Sequence, residues 1–268
     1  MFFQPREQAE ALELRAKYAA DATVINGGTD LLVALNREAI SLRNVLDLSR
    51  VDGFADAHRE NGHWKLGGGA TFAAISKLPI AALSRAAMTI GGPAIRNRGT
   101  IAGNLGTASP AGDGCVALLA NDAVVELSHA TRGSRSIPIA DYFTEFKKTA
   151  LLADELITSV RIPAEWRTTW QKIGKRGSIN ISLVCGAGGV SPDGAVRLAY
   201  GCVAPTVIRA KSAEAIVERD GWSDGAIDAA AQAAMKEVAP IDDHRASATY
   251  RRSMVGVITR RLLKELRP

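Results

Sequence analysis

The 268-residue sequence is poor in cysteine and in aromatic residues. Its three cysteines, Cys115, Cys185 and Cys202, include no pair in C-x-x-C spacing. Three thiols cannot complete a four-cysteine zinc or iron–sulfur site, so the chain is expected to carry no cluster of its own. An odd count without a secretion signal points to reduced, buried thiols. Aromatics make up 5% of the chain, which leaves few stacking platforms for nucleobases. No run reaches the roughly 18 uncharged apolar residues of a membrane span. The opening MFFQPREQAE turns charged too early for the apolar core of a signal peptide. A soluble, cytoplasmic protein with no membrane and no nucleic-acid partner is the expectation.

Common catalytic motifs are missing as well. There is no G-x-G-x-x-G and no Walker A sequence, which excludes the standard Rossmann and P-loop readings. There is no H-E-x-x-H, and His58, His63, His129 and His244 lie too far apart for a ligand set. Gly221–Gly225 matches G-x-S-x-G, but a nucleophile elbow needs a strand before its serine, and here the helix-like AEAIVERD precedes it. Ser223 or Asp224 reads better as a helix cap.

What is present is an ordinary globular composition, 47% hydrophobic and 23% charged, with a formal net charge of +5. The length suits one large domain or two to three small ones. Helical spacing over residues 5–20, a strand at Ala22–Ile25, a helical restart at Leu31–Arg37 and a strand at Asn44–Leu48 form a first small α/β unit. A second block, about residues 56–163, offers strands near His63–Gly67, Ala123–Leu127 and Leu156–Ile162. It has helices at Phe72–Leu78 and Ala81–Met88, and a long turn-rich segment, Gly91–Gly114. A third block offers strands at Thr168–Ile173, Ile181–Val190 and Ala195–Val203. Helices follow near Ala210–Arg219, Ala226–Val238 and Ala246–Leu266.

Two glycine-rich turns carry the chemistry. In VINGGTDLL a strand runs into Gly27-Gly28 and a helix restarts at Thr29 or Asp30. Glycine lets backbone approach a ligand and adopt positive φ, and free N–H groups at a helix start attract phosphate oxygens. A plain strand-to-helix turn explains this stretch equally well on its own. The second turn, Gly99 to Asp113, interleaves glycines 99, 103, 106 and 112 with Thr100, Asn104, Thr107 and Ser109. Such a density of small residues favours an anion cradle over an ordinary Ω-loop. Arg96 and Arg98, just upstream, can offset negative charge. Two cradles in one chain suggest a ligand with more than one phosphate, which leaves FAD, NAD and coenzyme A open.

Together, VINGGTDLL, GGPAIRNRGTIAGNLGTASPAGD and YGCVAPTVIRA resemble the FAD-binding medium subunit of the molybdenum hydroxylases, the xanthine dehydrogenase and carbon monoxide dehydrogenase group. The resemblance spans nearly the whole chain in order. Threonine-aspartate after the paired glycines is similar to the bacterial xanthine dehydrogenase type. It implies an α+β fold. Two small α/β subdomains, residues 1–55 and 56–163, form a vanillyl-oxidase-type (PCMH) FAD-binding domain. A C-terminal α+β domain with a three-stranded sheet and helices covers residues 164–268. It implies FAD as cofactor, with its pyrophosphate held by Val24, Ile25, Asn26, Gly27, Gly28, Thr29 and Asp30 from one side. Thr100, Ile101, Ala102, Gly103 and Asn104 hold it from the other. Asp113 stands at an acidic contact of the family, and Ile90, Ile157 and Lys172 align with positions near the flavin rings.

Three departures stand out. Ala102 replaces a glycine, which is tolerable only at negative φ. Asn26 replaces a usual alanine. Asn180 stands where relatives often carry aspartate, and losing a negative charge near the ring would ease formation of anionic reduced flavin.

The resemblance implies that substrate is oxidised on a molybdenum-bearing large subunit. Electrons would reach FAD from a small subunit with 2Fe–2S clusters and leave to NAD or another acceptor. No catalytic acid, base, nucleophile or metal ligand is assigned to this chain. A stand-alone FAD-dependent reductase of similar fold is one alternative. A non-enzymatic nucleotide-binding protein, with Arg251, Arg252, Arg260, Arg261 and Lys264 as a basic face, is another.

Overall fold

In a computed structural model, which describes residues 1–177 and 179–268, the chain is a mixed α+β protein built on three main sheets. The first sheet belongs to the N-terminal unit. Strand β1 (Phe2–Phe3), helix α1 (Gln8–Tyr18), β2 (Ala22–Ile25), α2 (Leu31–Asn36) and β3 (Asn44–Asp47) follow in order. The three strands lie parallel in the order β1-β3-β2. Parallel neighbours need crossover connections, and α1 and α2 supply them. One face of this sheet packs Leu46 against Ala11 of α1, with Phe3 and Val24 beside them.

The second unit opens with β4 (Ala57–Glu60) and β5 (His63–Gly67). Five helices follow: α3 (Phe72–Ile75), α4 (Ala81–Thr89), α5 (Pro93–Arg96), α6 (Ile101–Thr107) and α7 (Asp113–Ala120). Strands β6 (Val124–His129) and β7 (Gly133–Pro138), helix α8 (Ile139–Tyr142), the hairpin β8 (Phe143–Glu145) and β9 (Lys148–Thr149), and β10 (Leu156–Pro163) complete it. Its five-stranded sheet is antiparallel in the order β4-β5-β10-β6-β7. Alternation in β10 turns Ile162 and Val160 into the core and leaves Arg161 to pair with Glu126 outside. Every residue of α7, DGCVALLA, is buried. A helix apolar all round belongs in a core, and α7 runs through the middle of this one.

The third unit pairs β11 (Arg167–Ile173), β12 (Val184–Val190), β13 (Val196–Gly201) and β14 (Ile208–Arg209). The three expected strands are present, and the two-residue β14 adds a fourth at the edge. Helices α9 (Lys211–Asp220), α10 (Asp224–Glu237) and α11 (Ala248–Leu266) cover one face of this sheet. The other face joins the core of the second unit through Trp170, Cys185, Ala187 and Ala199. A sheet covered on both faces needs small or apolar residues at every position of its central strand, and VCGAGGV in β12 reads that way.

Two expectations are corrected. The segment Gly91–Gly114 is no open loop, because it folds into α5, α6 and the start of α7. Pro93 opens α5, and the Thr100 hydroxyl accepts the Gly103 amide to cap α6. The basic face on the last helix, on which the nucleotide-binding alternative rests, is also broken. Arg251 is buried, donates to the carbonyls of Leu183 (2.8 Å) and Cys202 (3.1 Å), and pairs with Asp243 at 2.7 Å. Arg260 pairs with Asp228. Ser223 caps α10 by accepting the Ala226 amide at 3.1 Å, the role expected for it in place of a nucleophile.

Candidate functional site

The two glycine turns meet. Strand β2 delivers Asn26–Asp30 to the edge of α6, and Gly27 packs on the backbone of the second turn. A Cβ at residue 27 would fall inside the Arg98 carbonyl oxygen and 2.7 Å from the Arg98 carbonyl carbon. Only glycine allows that approach. Gly28 turns at φ +72°, a left-handed conformation that L side chains resist. Farther along, Thr107 donates its hydroxyl to Asp30 at 2.8 Å. Asp30 thus ties the two turns together.

The turns differ in what they present. The amides of Gly27, Gly28, Thr29 and Asp30 donate to no protein group among the described residues. They lie at the start of α2, where backbone N–H groups favour an anion. The start of α6 is already satisfied: Ile101 donates to Ala70 O (3.0 Å), Ala102 to Gly68 O (3.1 Å) and Gly103 to the Thr100 hydroxyl (3.2 Å). Thr100 and Ile101 are buried, while Gly103 is exposed. Asn104 turns its amide inward, toward the Cys115 thiol at 3.4 Å. The second turn therefore offers a close, small-residue surface more than a set of free amides.

A third element that sequence reasoning missed joins them. Gly67-Gly68-Gly69 runs out of the end of β5, and Gly68 lies in the seam between the turns. A Cβ at Gly68 would lie 2.5 Å from the Ile157 carbonyl oxygen and 3.2 Å from the Ala102 Cβ. Asn26 reaches the Gly68 carbonyl at 3.4 Å. Three consecutive glycines between a strand and a helix were the available signal. Ala102 lies inside α6 and is absent from the positive-φ residues, which satisfies the condition set for it. Its methyl fits because residue 68 has none.

A cleft of about 640 Å³ opens between residues 88–96 on one side and the end of β11 with Gly174, Ile179 and Asn180 on the other. That size falls in the range of small-molecule sites. Met88, Thr89, Gly91 and Arg96 form one wall, and Lys172, Gly174, Ile179 and Asn180 the other. Lys172 ties the walls. Its Nζ donates to Asp113 Oδ2 (2.6 Å), to the Thr89 carbonyl (3.0 Å) and to the Asn180 carbonyl (3.2 Å). Asp113 is 5% exposed and also accepts Ser182 Oγ at 2.7 Å and Thr89 Oγ1 at 3.3 Å. Arg96 donates to the carbonyls of Ile90 (3.2 Å) and Gly91 (2.9 Å), which fixes that backbone at the mouth. Ile90 is half-buried against the core, and Ile157 is buried within it.

The Asn180 side chain does not face the cleft as a free dipole. Its Nδ2 donates to the Arg176 carbonyl, and its Oδ1 is buried against Gly174 without a hydrogen-bond partner among the described residues. A second groove, about 480 Å³, lies on the outer face of the five-stranded sheet. Its Glu126, Ser136 and Arg161 satisfy one another, so it presents less unmet polarity than the first turn.

The chemistry of the whole is that of binding. Burial, with Asp113 nearby, pushes the Cys115 thiol up. A hydrogen bond with Cys202 and burial push the Cys185 thiol well up. Neither is poised as a nucleophile. Among the described residues no cluster of three histidine, cysteine or acidic side chains forms a metal site, and no helix is long and apolar enough to cross a membrane. Open amides at a helix start, a glycine-packed seam and a cleft walled by Lys172 and Arg96 suit the binding of a phosphate-bearing ligand.

Residues 1–165 match the family described as FAD binding domain in molybdopterin dehydrogenase, and residues 171–266 the CO dehydrogenase flavoprotein C-terminal domain. The chain belongs to the FAD-binding medium subunits of the molybdenum hydroxylases, and its cofactor is FAD. Among its relatives, the nicotinate dehydrogenase FAD-subunit of Eubacterium barkeri is 34% identical, across 80% of this chain and 77% of its own. The xanthine dehydrogenase FAD-binding subunit of Escherichia coli O157:H7 is 29% identical, across 96% and 92%. A chain of carbon monoxide dehydrogenase from Hydrogenophaga pseudoflava superposes with a TM-score of 0.90 at 26% identity, covering 98% of this chain and 95% of its own. The protein is thus an oxidoreductase subunit.

Proposed function

We propose that this chain is the electron-transfer subunit of a multi-subunit molybdenum hydroxylase. In this reading it takes electrons from 2Fe–2S clusters on a small partner chain. A molybdenum-bearing large subunit oxidises the substrate, and NAD or another acceptor receives the electrons. FAD supplies the step between single-electron and two-electron carriers; the protein positions and tunes it. The open amides of Gly27–Asp30, facing the close-packed second turn, carry the proposal.

Each site residue has a part. Val24 and Ile25 bring the first turn to the seam, Asn26 braces it on Gly68, and Gly27, Gly28, Thr29 and Asp30 present amides to the pyrophosphate. Thr100, Ile101, Ala102, Gly103 and Asn104 form the opposing surface. Asp113 and Lys172 hold the walls of the cleft that receives the flavin ring, with Ile90 and Ile157 beneath. Relatives named as medium subunits or medium chains support a complex with other chains.

Purified protein should be yellow or take up added FAD, and a folded, colourless protein indifferent to FAD would overturn the reading. Steady substrate turnover by the isolated chain would instead select a stand-alone reductase.

A further inference from the structure

Two of the three thiols meet behind the Asp113 wall of the cleft. Cys185 lies in β12 opposite Gly201, the last residue of β13, and Cys202 follows directly. An extended residue at 202 would point its side chain to the other face of the sheet. Instead Cys202 stands at φ +66°, a left-handed conformation that a side chain bears only where its surroundings impose it. A Cβ at Gly201 would lie 2.8 Å from Cys185 Sγ, so that sulfur leans over the chain just before Cys202. The two thiols share a hydrogen bond. One diagonal step on an antiparallel ladder sets their Cα atoms roughly 6 Å apart, within the reach of a disulfide.

Cys202 is held on three sides. Its amide donates to the Pro110 carbonyl at 2.7 Å, its carbonyl accepts Arg251 at 3.1 Å, and its thiol donates to the Ser182 carbonyl at 3.2 Å. Ser182 in turn donates its hydroxyl to Asp113 at 2.7 Å, and Asp113 accepts Lys172 at 2.6 Å. A chain of contacts thus runs from the Cys202 sulfur to the side chain that ties the cleft walls. The thiols differ in access. Cys202 is half-buried, whereas Cys185 has no exposed surface, and its hydrogen bond with Cys202 and its burial keep it protonated. Cys202 is the thiol that a small oxidant meets, and Cys185 waits beside it.

We propose that Cys185 and Cys202 form a reversible thiol–disulfide pair whose oxidation loosens the hold of the cleft on FAD, an inference that rests on the flavin seat proposed above. The oxidant is hydrogen peroxide. The Cys202 sulfur gives up its proton and attacks one peroxide oxygen; the O–O bond breaks, leaving a sulfenic acid and one water. The Cys185 sulfur then attacks the Cys202 sulfur. The S–O bond breaks, and the sulfenic hydroxyl leaves with the Cys185 proton as a second water. Two electrons pass from the sulfurs to the peroxide, and a dithiol reverses the change. The disulfide has no thiol proton for the Ser182 carbonyl and draws the Cys202 sulfur toward β12. Ser182 then holds Asp113 less firmly, and Asp113 holds Lys172 less firmly in turn.

The test uses the full chain loaded with FAD and kept reduced. After treatment with hydrogen peroxide, alkylation and trypsin digestion, peptides 177–197 and 198–209 should appear joined and two hydrogens lighter than their sum. The Kd for FAD should rise by about fivefold or more on oxidation and return with dithiothreitol. Cys202→Gly suits the positive φ, keeps the fold, and should show neither the link nor a peroxide-dependent Kd. Peptides that stay unlinked would overturn the inference, and so would linked peptides with an unchanged Kd. A Kd shift that persists in Cys202→Gly would do the same, because it would arise at another residue. Reduced wild-type protein that ignores FAD would instead overturn the flavin seat itself, which keeps the two failures apart.

Discussion

Replacing Gly27 with alanine adds one methyl at the tightest contact of the site. That carbon would stand 2.7 Å from the Arg98 carbonyl carbon and 3.1 Å from Gly99 Cα. Carbon atoms pack best at about 3.5–4.0 Å, so the shortfall is nearly 1 Å against backbone that cannot rotate away. The first turn must lift off the second. Overpacking of this kind costs roughly 1–3 kcal/mol. If the open form is the one that FAD binds poorly, that cost becomes about a 5- to 150-fold rise in Kd. FAD titrated into deflavinated protein, followed by fluorescence, reads the change, and a urea melt confirms that the variant is folded. Gly225→Ala, in α10 and outside both turns, is the control, since the nearest atom to a Cβ there is Ser223 Oγ at 3.9 Å, and it should bind FAD as the wild type does. A folded Gly27→Ala variant with wild-type affinity would refute the account of the seam.

Lys172→Met should cost about 3–5 kcal/mol in urea unfolding, because it strands the buried Asp113 carboxylate, and adding Asp113→Asn should recover part of it. Thr168→Val removes the hydroxyl that accepts the Ala82 amide at 3.0 Å at the start of α4, and should lower stability by about 1 kcal/mol with flavin content unchanged. Asp243 gives a pH dependence. Burial pushes its carboxyl up, but the amides of Arg245 and Ala246 and the Arg251 guanidinium bring it down to about 2. A depressed carboxylate stabilises the fold above its ordinary range and loses that contribution as pH falls through its folded value. Asp243→Asn should therefore flatten the acid limb of the stability curve between about pH 4 and 2, and an unchanged limb would sink the assignment.

Much of this arrangement is legible in the sequence. The paired glycines after β2 and the spaced glycines near Thr100 announce close backbone approach, because no other residue serves it. Ser223 announced a cap through the helical pattern after it. The helices at residues 93–96 and 101–107 stayed hidden. The glycines of 101–107 lower helix propensity, and that helix forms because Thr100, Gly68 and Ala70 satisfy its first amides; the single turn at 93–96 is too short for periodicity to reveal. Arg251 looks like a surface charge in the sequence for a related reason. Its partners, Leu183, Cys202 and Asp243, come from distant segments that periodicity cannot join. The seam glycines Gly67–Gly69 were legible as a run, but their importance depends on Ile157, which lies 89 positions farther along than Gly68.

The hydroxyl of Thr168 caps a helix of the preceding segment, and α7 lies buried between that segment's sheet and β12. Heredity has to respect that contact. A recombinant made by joining two relatives near residue 165 would inherit mismatched halves of one core. Only a crossover that moves α4 and α7 together with the last hundred residues would keep donor and acceptor surfaces that evolved against each other. The segment boundary is therefore a seam in sequence but not a joint at which the protein comes apart. A protease that cuts the chain there should release no independent fragment.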